Sequence, residues 1–182
     1  ELPSQIMENW CYEKEALELF AKHYKTNEVI PMKYINRIKK TAHFQQGLQT
    51  LRQLGFSFLD LSYHGSQATD INSVKSHERA ILNRIQFLRD YPENCSSTAF
   101  SHIFHGGYSA GYYSYKWAEV LDADAFELFL EKGIFDSQTS KSFEENILSK
   151  GGTEHPLVLY KRFRGKGPDP DALLKRAGLI ND

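Results

Sequence analysis

Cysteine is nearly missing from this chain: Cys11 and Cys95 are the only two in 182 residues. They show no C-x-x-C spacing and build no disulfide framework, which favours a reducing compartment. An excess of charge of either sign is lacking too. The 22 basic and 23 acidic side chains leave a net charge of -1, so no global field draws nucleic acid or an anionic membrane. No stretch approaches the roughly 18 consecutive apolar residues of a membrane span. β-Branched residues are sparse and no run alternates with period two, which argues against a sheet. Phosphate-loop, G-x-S-x-G and dinucleotide fingerprints are absent, and His77-Glu78 runs into Arg79-Ala80-Ile81 rather than into a His-Glu-x-x-His zinc helix.

What is present is ordinary globular composition, 41% hydrophobic and 25% charged, enough to bury one core. The apolar spacing is helical throughout. Ile6, Trp10, Leu17, Phe20 and Tyr24 predict a helix over 4–24 that Pro3 opens, and Pro31 opens a second one through Tyr34, Ile35 and Ile38. Leu48, Leu51, Phe58 and Leu61 predict a core helix over 44–63, loosened at Gly55. Gly65, Ser66, Thr69, Asp70 and Asn72 read as a turn, followed by an amphipathic helix over 73–89. The next helix is expected from Ser109 to Lys132, with Gly133 ending it. Asp136 or Ser137 caps a helix through Phe143 and Ile147, Pro156 starts one ending near Phe163, and Asp169-Pro170 starts the last. The basic run Lys161–Lys166 reads as a solvated helix end. The expectation is one all-α domain over 1–182 with seven to nine helices and no internal repeat.

Chemistry-bearing residues crowd into 100–117, Phe-Ser-His-Ile-Phe-His-Gly-Gly-Tyr-Ser-Ala-Gly-Tyr-Tyr-Ser-Tyr-Lys-Trp. Gly106-Gly107 reads as a mobile loop entering the helix. On a helix starting near Ser109, Tyr108, Tyr112, Tyr115 and Glu119 fall within about 60° of one another, and Tyr113, Trp117, Val120, Leu121 and Leu128 lie opposite. One face would then be core and the other a wall of phenolic donors, suited to a peptide carbonyl or a developing oxyanion. Packing tyrosines remain the plain alternative. His102 and His105, three apart, could share a metal on a helix, but no third ligand adjoins them.

Two segments carry a resemblance. Glu1-Leu2-Pro3-Ser4-Gln5-Ile6-Met7-Glu8-Asn9-Trp10 and the stretch from Phe100 to Tyr115 closely resemble the C-terminal catalytic part of the thimet oligopeptidase family of zinc metallopeptidases. The tail, Gly133-Ile134-Phe135 through Ile147–Gly152 to Phe163-Arg164-Gly165, looks most like the bacterial oligopeptidase A and peptidyl-dipeptidase branch. The similarity spans essentially the whole chain.

The resemblance implies a helical peptidase whose Zn2+ is held by two His of a His-Glu-Phe-Gly-His helix and by one Glu further on. Glu1 matches that Glu, and the His-Glu-Phe-Gly-His helix would lie in a missing N-terminal part of the same enzyme. By the same matching, Tyr108 and Tyr115 are catalytic donors, His102, Gly106, Gly107 and Tyr112 bind substrate, and His105 departs from the family's usual small residue. The substrates are short peptides. The chain alone is expected to bind no zinc, to be inactive, and to self-associate through a face the missing part covers. The expected compartment is cytoplasmic, with the periplasm an open alternative. The competing class is a non-catalytic helical module that binds peptides or serves as a scaffold; the coding frame upstream of Glu1 discriminates the two.

Overall fold

The computed structural model describes residues 1–66, 68, 71–88 and 90–181. Among the described residues there are ten α-helices, more than the seven to nine expected: α1 Leu2–Glu8, α2 Lys14–Phe20, α3 Met32–Ala42, α4 Gln46–His64, α5 Val74–Leu82, α6 Ser101–Phe104, α7 Ser114–Lys132, α8 Ser137–Phe143, α9 Pro156–Arg164 and α10 Pro170–Arg176. No strand occurs among the described residues, so the chain is all-α, as its periodicity requires; Lys22 and Val29 form an isolated antiparallel bridge. The chain folds as two compact units, one of Glu1–Phe44 together with the chain from Ala118 onward, the other of Gln45–Trp117.

In the first unit the expected helix over 4–24 is divided. A 3-10 turn at Asn9–Tyr12 separates α1 from α2, because Asn9 turns inward to donate its amide to the Asp122 carboxylate at 3.0 Å. Trp10 packs edge-on to Phe126 and Phe129 and donates its indole N–H to the Ile134 carbonyl at 2.9 Å. These rings join Ile6, Phe143, Tyr160 and Phe163 in one core. Trp10 therefore has its partners inside this unit.

Two buried aspartates on α7 fasten the C-terminal helices. Asp122 pairs with Arg176 of α10. Asp124 accepts from the Tyr160 hydroxyl at 2.7 Å and pairs with Arg164 at 3.3 Å and Lys166 at 3.2 Å. The basic run ends α9 with Lys161, Arg162 and Lys166 exposed, as expected, but Arg164 departs from a solvated end: its side chain is 7% exposed and also donates to the Asp124 carbonyl. Its guanidinium is held by acceptors, the condition under which a charge tolerates burial. The caps agree with their sequence signals: Asp136 accepts from Thr139 N–H at 2.7 Å, and Asp169 precedes Pro170 and accepts from Asp171 N–H.

In the second unit α4 packs on α5. Gly55 does not break α4; a Cβ there would come within 3.3 Å of Leu82 Cδ2, so the glycine serves close helix approach. The buried side of α4 is Gly55, Ser57, Leu59 and Asp60, while Phe58 and Leu61, expected in the core, are exposed. Helix α5 ends at Leu82, short of the expected 89, in successive turns through Arg84, Ile85 and Gln86 N–H. Glu78 is buried and accepts from Ser96 N–H at 2.9 Å and Ser97 N–H at 2.6 Å, so the small polar segment after Cys95 forms a 3-10 turn. Thr69 and Asp70 of the expected polar turn lie outside the described residues.

Candidate active site

The His/Gly/Tyr stretch lies within the second unit and is not one helix. Helix α6 ends at Phe104, and α7 begins only at Ser114, five residues later than expected. Between them the chain is wound back on itself. Tyr108 N–H donates to the His102 carbonyl at 3.1 Å, Ser109 Oγ donates to the Ile103 carbonyl, and Gly111 N–H donates to the Tyr108 carbonyl at 2.8 Å. Gly107 sits at φ +81°, and a Cβ on Gly106 would meet His102 Cα at 3.0 Å. The pair thus allows the reversal that a side chain at either position would oppose.

This winding brings four of the expected site residues together. Tyr108 and Tyr115 stack with centroids 4.9 Å apart, and Tyr112 meets Tyr115 edge-on at 5.2 Å. The His102 ring is 6.1, 6.0 and 6.4 Å from Tyr108, Tyr112 and Tyr115. All three phenols are half-buried and His102 is exposed. Phe56 and Phe100 back the cluster, with centroids 5.9 and 5.1 Å from Tyr112. The Tyr112 hydroxyl donates to Gln53 Oε1 at 3.2 Å. Burial, with a smaller contribution from Tyr115, raises its pKa above the ordinary phenol value, against a weaker pull from Arg52, so Tyr112 remains a neutral donor at neutral pH.

Other expectations change. Tyr113 and Trp117, placed on a core face by the helical wheel, are 52% and 50% exposed. Tyr113 precedes α7, in a turn where the 100° period does not hold, while Leu121 and Leu128 of the same expected face do pack against the core. His105 is exposed, and its imidazole shares no metal cluster with His102: no group of three or more His, Cys, Asp or Glu fit to hold a metal occurs among the described residues. Glu1 is exposed in the first unit, with Ser4 Oγ 3.5 Å from its Oε2. One carboxylate falls short of the about three protein ligands of a catalytic zinc site, so the residues present do not by themselves fit zinc.

Asp60 is the site residue that sequence reasoning missed. It is fully buried on α4 and its carboxylate accepts from Ala110 N–H and Tyr112 N–H, both at 2.9 Å, and from His64 Nδ1 at 2.8 Å. His64 Nδ1 also lies 3.0 Å from the Asp60 carbonyl; with acceptors on both contacts it carries the proton. The available signal was one carboxylate inside the apolar run Phe56–Leu61, four residues before a histidine.

Among the described residues the chain is helical and strandless, with a His/Tyr ring cluster beside a double glycine. Residues 1–179 match the family described as Peptidase family M3, and the chain belongs to that family. It is 44% identical over 182 residues to oligopeptidase A of Haemophilus influenzae, covering all of this chain and 27% of that protein. Oligopeptidase A of Escherichia coli is 45% identical over 180 residues, 98% of this chain and 26% of the relative. Dipeptidyl carboxypeptidase of Escherichia coli is 32% identical over 181 residues, 98% and 27%. The chain therefore spans about a quarter of the length of these relatives.

Proposed function

We propose that this chain is the C-terminal part of the catalytic region of a zinc metallopeptidase that hydrolyses short peptides. The observation that carries the reading is the convergence of His102 with Tyr108, Tyr112 and Tyr115 behind Gly106-Gly107, in a chain matched along nearly its whole length by a peptidase family. In the complete enzyme Glu1 is one zinc ligand and the others come from the part of the protein this chain does not span. That metal supplies the Lewis acidity of peptide hydrolysis.

The chain's own residues have separate tasks. Gly106 and Gly107 carry no side chain, so the backbone of a bound peptide can run close to them. His102 and Tyr112 orient the peptide, Tyr112 with its hydroxyl already directed by Gln53. Tyr108 and Tyr115 donate to the carbonyl oxygen as it becomes an oxyanion, an interaction that grows with the developing charge and so lowers the barrier rather than tightening the ground state. Alone, the chain lacks the remaining ligands and is inactive. Two unpaired cysteines favour a reducing, cytoplasmic setting.

The test is hydrolysis of a quenched short peptide by the complete enzyme. Cleavage abolished by chelation and restored by zinc supports the reading; cleavage that persists in the metal-free enzyme, or no peptide cleavage at all, overturns it.

A further inference from the structure

The four-ring cluster depends on a turn that its own sequence enforces only in part. Ala110 sits at φ +57°, the left-handed region that an L-residue with a Cβ disfavours. Within the stretch the Ser109 hydroxyl donates to the Ile103 carbonyl and Gly111 N–H to the Tyr108 carbonyl, whereas the Ala110 and Tyr112 amides are taken up by α4. A second hold comes from outside the turn. Both oxygens of the buried Asp60 carboxylate are used on it, Oδ1 by Ala110 N–H and Oδ2 by Tyr112 N–H, 50 and 52 residues away in sequence. His64 Nδ1 fixes the same carboxylate from one turn further along α4. A fully buried carboxylate with two backbone N–H donors and one imidazole is satisfied on both oxygens. The two amides it grips flank Gly111, directly between the Tyr108 and Tyr115 arms of the stacked pair.

We infer that Asp60 is a positioning residue for the peptidase reaction: through the backbone of Ala110 and Tyr112 it sets the turn that aligns Tyr108, Tyr112 and Tyr115, without itself touching substrate. The inference rests on the peptidase reading above. Asp60→Asn keeps the size of the side chain but replaces one acceptor oxygen by an amide donor, which then faces an N–H. The turn loses one of its two grips while α4 keeps its buried methylene and its helix.

The test uses the complete enzyme and four variants, Asp60→Asn, Ala110→Gly, the double variant and Tyr115→Phe. Hydrogen exchange read by peptide mass should rise about tenfold over 108–113 in Asp60→Asn, the scale of one lost hydrogen bond, with α4 and α5 unchanged. The kcat should fall about 10- to 100-fold, the cost of misplacing groups by about 1 Å, with KM within about threefold. Ala110→Gly, which accepts φ > 0 freely, should recover several-fold of the lost kcat in the double variant. Because Gly at φ > 0 also relieves strain, urea melts accompany the kinetics: a rescue of kcat larger than the gain in stability accounts for supports alignment of the turn, and one matched by it overturns the inference. Exchange unchanged over 108–113, or raised equally across α4, overturns the inference. So does an Asp60→Asn enzyme that keeps its kcat while Tyr115→Phe loses it, and in that case the peptidase reading stands. If Tyr115→Phe keeps its kcat as well, the role given to the phenols falls with it.

Discussion

Tyr108 and Tyr115 lie stacked, their ring centroids 4.9 Å apart and their planes inclined by 25°. Seven residues of continuous helix would also set two side chains on one face, but here a turn and the first residues of α7 do it, with Asp60 holding the turn. The two phenols are thus fixed relative to each other by tertiary hydrogen bonds, which makes the pair sensitive to residues far from it in sequence.

Replacing Tyr108 or Tyr115 by Phe in the complete enzyme removes a hydroxyl and keeps the stacked ring. The expected result is a loss of about 10²-fold or more in kcat, the usual cost of one oxyanion donor, with KM little changed. Tyr113→Phe is the control. Its side chain is half exposed, so both kcat and stability should stay near wild type. Steady-state kinetics with zinc content measured for each variant decides; two Phe variants with wild-type kcat would reduce the cluster to packing.

The chain by itself should not bind zinc tightly and should not turn over a quenched peptide, because Glu1 offers one ligand where about three are needed. Titration calorimetry with zinc, followed by a peptide assay, measures both. One sub-micromolar site accompanied by turnover would refute this.

Phe20, Tyr24, Phe44, Phe87 and Tyr91 are each more than 60% exposed, and exposed aromatic side chains favour association where they form a contiguous patch. The isolated chain is therefore expected to self-associate as its concentration rises. Light scattering between about 5 and 200 μM reports it. A monodisperse monomer that binds no hydrophobic dye at the upper end would contradict the expectation.

Tyr160 links stability to pH. Burial first, and then its hydrogen bond to Asp124, raise the phenol far above its ordinary pKa. A raised folded pKa gives stability that is fully present below the unfolded value of about 10 and lost as pH rises beyond it. Tyr160→Phe should cost about 2 kcal/mol at pH 8, the scale of a hydrogen bond to a charged acceptor. That deficit should shrink between pH 10 and 11, because the variant has no phenol to ionise on unfolding. Urea melts of both forms across this range test the sign; a deficit independent of pH would show that Tyr160 contributes packing alone.

The sequence by itself determined the all-helical class, most helix starts and ends, and the identity of the ring residues. These are local matters: 3.6-residue spacing, Pro at the first helical position, Asp at the caps and glycine where φ turns positive are written in neighbouring residues. Family membership was legible for the same reason, carried by contiguous segments at 1–10 and 100–115. What only the tertiary structure decided is where a continuous period stops being valid. Asn9 breaks the first helix because Asp122, far along the chain, claims its amide. Tyr113 faces solvent because α7 starts at Ser114, and α7 starts there because Asp60 draws the Ala110 and Tyr112 amides into a turn. A buried carboxylate that satisfies backbone donors 50 residues away leaves no periodic trace, since hydrogen bonds across space depend on packing and not on sequence interval.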